Sequence, residues 1–137
     1  MGAGKYKMKK ISVMIPAYNE KENIRPICES VTDIFKNRLS DYQYEILIMD
    51  NYSEDGTRKI IEELCANDLR IKAIFNARNF GHIRSPFYGL LQTTGDCAIS
   101  LSADFQDPPE LIVDFVREWE KGSKIVTGKK YKSKENP

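Results

Sequence analysis

Short apolar runs alternate with longer segments of helical period along the chain, and that alternation constrains the fold more than any other feature. The runs are "ISVMIPA" (11–17), "YEILIMD" (44–50), "IKAIFN" (71–76), "DCAISLS" (96–102) and "KIVTG" (124–128). Between them, apolar residues recur every three or four positions over 20–38, 55–67, about 83–94 and 108–121. The order reads βαβαβαβαβ. Runs that are apolar throughout belong to strands covered on both faces, and strands separated by helices pair in parallel. The expected fold class is α/β, three layers (αβα) around a mainly parallel sheet. Phe87, Tyr88, Leu90 and Leu91 are expected on the core face of their helix. Asp107-Pro108-Pro109-Glu110 reads as a helix start, with an N-cap aspartate, proline at the first helical position and a glutamate completing a capping box.

The 137 residues suffice for one domain. It is expected over 10–128, preceded by a disordered or appended stretch at 1–9 and followed by a basic tail or truncation point at 129–137. Twenty-one basic against twenty acidic residues leave a net charge of +1, so no global field points to nucleic acid as a partner. Cys28, Cys65 and Cys97 form no C-x-x-C pair and sit within apolar or helical patterns, which reads as reduced core thiols in a cytoplasmic setting. The basic opening "MGAGKYKMKK" lacks the apolar core of a signal peptide, and no run reaches the roughly 18 apolar residues of a membrane helix.

In an open parallel sheet, ligands bind at the carboxyl ends of the strands. Those ends here are Pro16-Ala17-Tyr18-Asn19-Glu20, Asp50-Asn51-Tyr52-Ser53-Glu54-Asp55-Gly56, Arg78-Asn79-Phe80-Gly81-His82 and Ser102-Ala103-Asp104. All are polar or acidic. Acid at neighbouring strand ends is expected to need a cation or donor groups to relieve repulsion. Neither a G-x-G-x-x-G nor a G-x-x-x-x-G-K-[ST] loop is present, so a nucleotide would be held by other means. Tyr18 can stack on a base, Asp50 can accept from a base N–H or close a turn, Glu20 can accept from ribose hydroxyls, and Asp104 can hold a divalent cation (Mg2+ or Mn2+) that bridges a diphosphate.

"VMIPAYNEKENI", "EILIMDNYSEDGT", "ARNFGHIRSPFYGLLQTTGD" and "SADFQDPPELI", in that order and at these intervals, resemble the family 2 glycosyltransferases. The closest likeness is to bacterial members that pass a sugar from a nucleotide donor to a polyprenyl phosphate or a cell-surface glycan precursor. The resemblance runs from residue 10 to about 128. It implies the Rossmann-like, nucleotide-binding half of a GT-A fold. It also implies a nucleoside pocket at Pro16, Ala17, Tyr18 and Glu20, a base contact at Asp50 beside Asn51, and a diphosphate-and-metal motif at Ser102, Ala103 and Asp104, with Gln106 and Asp107 as further oxygen donors. The family's usual D-x-D is here Ser102-Ala103-Asp104, without the first carboxylate. Arg78 and Arg84 flank a loop that similar proteins use near the donor diphosphate, and His82 between them reads as a hydrogen-bonding group.

The implied reaction is inverting displacement at the anomeric carbon of a UDP-sugar. A hydroxyl acceptor needs a general base, expected beyond Pro137, whereas a lipid phosphate is already anionic. The implied location is the cytoplasm at the inner face of the plasma membrane, with membrane helices beyond this segment. A truncated sheet edge is expected to favour homo-oligomers. The competing reading is a non-catalytic nucleotide-binding or interaction module. A receiver-like domain and a nucleotidyltransferase fit the strand ends poorly.

Overall fold

Strand β1 (Lys10–Ala17) is the centre of the molecule because both of its edges are paired. The computed structural model describes residues 8–81 and 88–122. After β1 come α1 (Ile24–Arg38), β2 (Gln43–Asp50), α2 (Thr57–Asn67), β3 (Ile71–Phe75), β4 (Cys97–Ser100) and α3 (Leu111–Glu120). Residues 88–91 are also helical. The sheet order is β3-β2-β1-β4 and every pairing is parallel. Parallel pairing with helical crossovers brings the carboxyl ends of all four strands to one edge. The expected fifth strand at 124–128, the basic tail at 129–137 and the N-terminal residues 1–7 lie outside the described residues.

One face of the sheet carries the main core. Ile11, Val13 and Ile15 of β1 and Ile46 and Ile48 of β2 pack against Ile24, Ile27 and Val31 of α1, Ile61 of α2, and Ile112 and Val116 of α3. Each such side chain contributes about 1.5–3 kcal/mol by leaving water. The opposite face is smaller: Met14, Leu47 and Met49, with Ile74 and Leu90 against them. Here the expectation for the fourth helical segment needs correction. Tyr88 and Leu91 are 50% and 64% exposed, and the residues that meet the sheet are Gly89 and Leu90. A Cβ at Gly89 would lie 3.1 Å from Met14, so glycine sets which face of this turn can approach. Phe87 lies outside the described residues.

Three helices begin later than the periodicity predicts. Residues 20–23 form a turn in which the Glu20 carbonyl accepts from the N–H groups of Asn23 (3.0 Å) and Ile24 (2.9 Å). Gly56, in the left-handed region at φ 103°, precedes α2, and the Asp55 carboxylate accepts from the Thr57 N–H at 3.0 Å. Asp107 does not cap α3. The helix is entered through bonds from Leu111, Ile112 and Val113 to the carbonyls of Pro108, Pro109 and Glu110, without a side-chain cap. With Glu110 at the N-cap, Asp107 lies three residues too early in the chain to cap this helix. The three cysteines are free; Cys28 is buried, whereas Cys65 and Cys97 are half-buried at the margin of the core.

At the amino edge of the sheet the Glu45 carboxylate, 3% exposed, gathers a polar cluster. It accepts from the Ser12 hydroxyl (2.6 Å), the Thr94 N–H (2.7 Å) and Lys72 Nζ (3.0 Å), and Lys10 Nζ stands at 3.5 Å. The Gly95 N–H donates to Ser12 Oγ at 2.8 Å, an approach so close that a Cβ at 95 would lie 2.6 Å from that oxygen. The cluster thereby fixes the entry into β4. Burial pushes the Glu45 carboxyl up, but the donors from Ser12, Thr94 and Lys72 outweigh it and bring the group to about 2, from an ordinary 4.5. A carboxylate with a depressed folded value stabilises the fold above its unfolded value, and this contribution is lost as pH falls from about 4.5 to about 2. Acid titration of the urea midpoint should therefore show a loss of roughly 3 kcal/mol across that window, converted at 1.36 kcal/mol per unit. Glu45→Gln should remove most of the slope.

Candidate functional site

The loops after β1, β2 and β3 are stitched into one rigid edge by short polar side chains. The Asn51 N–H continues the sheet ladder to the Ala17 carbonyl (2.9 Å), and the Asn76 N–H does the same to the Asp50 carbonyl (2.9 Å). Asn19 bridges the first two loops: its N–H donates to Ser53 Oγ (2.8 Å), and its Oδ1 accepts from the Glu54 N–H (2.9 Å). The buried Asn51 amide ties in the third loop. Its Nδ2 donates to Asn79 Oδ1 (2.8 Å) and the Gly81 carbonyl (3.3 Å), and its Oδ1 accepts from the Phe80 N–H (2.8 Å) and Asn76 Nδ2 (3.1 Å). Every hydrogen-bonding position of that amide is used.

Asp50 is fully buried, and its carboxylate accepts from the Ser53 N–H (3.0 Å) and Ser53 hydroxyl (2.6 Å). Arg58 Nε lies 3.6 Å from the same carboxylate, with its guanidinium over the Phe75 ring at 4.7 Å. Asp50 thus closes the turn at the end of β2, and internal donors balance its charge. Asp104, on the far side of β1, is equally supplied: Ser102 Oγ donates to its Oδ1 at 2.5 Å, and the Gln106 N–H at 3.1 Å. The expected electrostatic need for a cation between strand ends is therefore absent at Asp50, because local donors have already met it.

The anticipated site residues divide by accessibility. Ala17, Asp50, Asn51 and Ala103 are buried and shape the edge from below; Pro16, Glu20, Ser102, Asp104 and Asp107 are half-buried; Tyr18, Arg78 and Gln106 are exposed. Glu20 Oε1 accepts from Asn23 Nδ2 at 3.2 Å, and the Arg78 guanidinium lies over the Phe80 ring at 4.8 Å. His82 and Arg84 lie outside the described residues. Sequence reasoning passed over Asn19, Ser53, Asn79 and Arg58, which hold the edge together. Only the clustering of Asn, Ser and Asp after the apolar runs signals such turns.

Asp104 presents all-oxygen chemistry suited to a hard divalent ion. Its Oδ1 is shared with the Ser102 hydroxyl, and no hydrogen bond among the described residues reaches its Oδ2. Among the described residues no group of three His, Cys, Asp or Glu side chains stands close enough to hold a metal by itself. The residues fit a cation that takes one or two protein ligands and completes its shell from phosphate and water, as Mg2+ commonly does.

A parallel sheet with its polar loops tied together at the carboxyl edge defines an open α/β domain of the kind that binds ligands at that edge. The chain belongs to glycosyl transferase family 2, which its sequence matches over residues 12–137. It is 35% identical over 121 residues to a bactoprenol glucosyl transferase of Shigella phage SfX, covering 88% of this chain and 39% of that protein. Against an undecaprenyl-phosphate 4-deoxy-4-formamido-L-arabinose transferase of Proteus mirabilis it is 36% identical over 121 residues, covering 88% of this chain and 36% of that one. The chain thus spans well under half the length of these relatives.

Two solved structures share the fold, a Rossmann-like GT-A arrangement. One is S. aureus TarS 1-349 in complex with UDP-GlcNAc (TM-score 0.65, 23% identity, 82% of this chain and 31% of that one). The other is a mannosyltransferase of Pyrobaculum calidifontis in complex with GDP-Man and Mn2+ (TM-score 0.67, 18% identity, 81% and 32%). No helix among the described residues is long and apolar enough to cross a membrane.

Asn51→Ala should loosen the third loop, because it strips the Phe80 N–H and Gly81 carbonyl of a partner. The expected cost is about 2 kcal/mol in urea unfolding, with faster amide hydrogen exchange at Phe80 than at Ile48.

Proposed function

We propose that residues 10–128 are the donor-binding part of a glycosyltransferase that moves a sugar from a nucleoside diphosphate, UDP favoured, to a polyprenyl phosphate or a cell-surface glycan precursor. The observation that carries this reading is Asp104, half-buried at the shared carboxyl edge with an oxygen that no hydrogen bond among the described residues reaches, beside the strand that exposed Tyr18 follows. Both relatives named above support a lipid-linked acceptor by what they are called, and the UDP-GlcNAc complex of the TarS fold supports uridine.

In this reading Tyr18 stacks on the base, and Pro16 and Ala17 set the floor on which it rests. Asp50 shapes the base site through the turn it closes on Ser53. Glu20, held by Asn23, faces the ribose hydroxyls. Asp104 and the Ser102 hydroxyl hold a divalent cation, with Gln106 and Asp107 as additional oxygen donors, and Arg78 opposes phosphate charge. When bound, the cation neutralises charge on the departing diphosphate. The acceptor oxygen forms a bond to the anomeric carbon from the face opposite the diphosphate, and the C–O bond to the nucleoside diphosphate breaks with its electron pair on that leaving group. The configuration is thereby inverted. A phosphate acceptor is already ionised at neutral pH and enters this step without a protein base. The full protein acts at the inner face of the plasma membrane, where such an acceptor is presented.

Calorimetric titration with UDP and GDP, with and without Mn2+, checks the donor site. The expected outcome is Mn2+-dependent binding of UDP, at least tenfold tighter than GDP, and a loss of tenfold or more in Asp104→Ala. Absence of any nucleotide binding at millimolar Mn2+ would overturn the reading.

A further inference from the structure

Among the described residues, three other than glycine hold left-handed backbone: Asn19 (φ 53°), Tyr52 (φ 70°) and Phe105 (φ 62°). All three are at the carboxyl edge. Asn19 is of a type that tolerates this region, and its N–H and side chain are both engaged in bridging loops. Tyr52 and Phe105 are different. A bulky side chain at positive φ is disfavoured where glycine would sit freely, and such strain persists where function demands it.

Neither residue is fully packed inside the protein. Tyr52 is 41% and Phe105 38% exposed, and neither hydrogen-bonds, stacks on another ring or meets a cation among the described residues. Their settings are alike. Each lies within a turn closed by an aspartate: the Ser53 N–H donates to Asp50 Oδ2 at 3.0 Å, and the Gln106 N–H donates to Asp104 Oδ1 at 3.1 Å. The two turns follow β2 and β4, the neighbours of β1 on either side, and exposed Tyr18 follows the last residue of β1. Exposed aromatic rings therefore follow three adjacent strands at the edge where the proposed donor site lies.

We propose that Tyr52 and Phe105 are the ligand-contacting walls of this edge: Tyr52 takes the flat face of the base, and Phe105, next to Asp104, takes the apolar face of the sugar beyond the diphosphate. The assignment rests on the donor-site reading above. Aromatic rings suit both surfaces, because every base has a π-face and the ring C–H groups of a hexose are apolar. The aspartate turns fix the backbone that carries the rings before a ligand arrives, so little backbone freedom is lost on binding.

The test combines melting temperature without ligand and titration of the whole chain with UDP and UDP-glucose in Mn2+. Tyr52→Gly and Phe105→Gly should both melt higher than the unchanged chain, since glycine relieves the backbone. Tyr52→Gly should weaken UDP and UDP-glucose alike, by tenfold or more, and Tyr52→Phe should restore both. Phe105→Gly should weaken UDP-glucose by tenfold while leaving UDP within twofold. Glycine variants that bind both ligands like the unchanged chain would overturn the proposal, whatever their melting temperature, and leave the donor site standing. An unchanged chain that binds neither ligand would bring down the donor site and this proposal together.

Discussion

The eight-residue parallel ladder between β1 and β2, from Lys10 opposite Gln43 to Ala17 opposite Asp50, is the constraint on which everything else depends. A parallel pair cannot be closed by a tight turn; it requires a crossover, here α1, and that crossover supplies the main core face. With β1 also paired to β4 in the same direction, three chain reversals return to one edge and three leave from the other. The polar residues that follow Ala17, Asp50 and Ser100 become spatial neighbours by topology alone. A shift of this register by one residue would set Val13 of the main core opposite Leu47 of the small one in place of Ile46.

The two edges of the sheet solve different problems with similar residues. At the amino edge, Glu45 is surrounded by its own donors, and Lys10 and Lys72 offset its charge at close range. It is a closed unit that consumes its polarity to anchor the entry into β4. At the carboxyl edge, Asn19, Asn51 and Ser53 consume only enough polarity to make the loops rigid. They leave Asp104 Oδ2 without a hydrogen bond among the described residues, and Tyr18, Tyr52 and Phe105 exposed. Rigidity at the second edge matters because a site that is already ordered spends little binding energy on ordering itself. Buried Asp50 illustrates the division: its charge is spent inside the turn, while the residue that turn displays, Tyr52, is exposed.

Much of this was legible in the sequence. The four described strands fall within one or two residues of the apolar runs; β1 and β2 are buried almost throughout, and that leaves a continuous apolar pattern. The carboxyl-edge residues followed from topology, and the ordered motifs identified the family that the match over 12–137 confirms. What was not legible depends on backbone detail. Asp107 looks like a cap, but the helix starts further on, with Glu110 at its N-cap. Tyr88 and Leu91 look like core, but Gly89 rotates the turn so that Leu90 faces the sheet instead. The role of the Asn51 amide as a tie between loops, with its hydrogen-bonding positions filled, carries no signature in the sequence. Phe105 and Tyr52 could not be singled out, because left-handed backbone at an aromatic residue leaves no trace in composition or period.

Cys28, buried under α1 and pushed up to about 12 by burial, has a further consequence. Only about one thiol in 10⁵ would be ionised at neutral pH, and the thiolate is the form that reacts. In the folded chain this sulfur is doubly shielded, by lack of access and by lack of charge. A thiol reagent can reach it only when α1 lifts from the sheet, so its labelling rate would count those openings. The half-buried Cys65 and Cys97, also raised by burial but nearer the surface, would report smaller excursions of α2 and β4. The chain thus carries a graded set of chemical clocks for its own breathing.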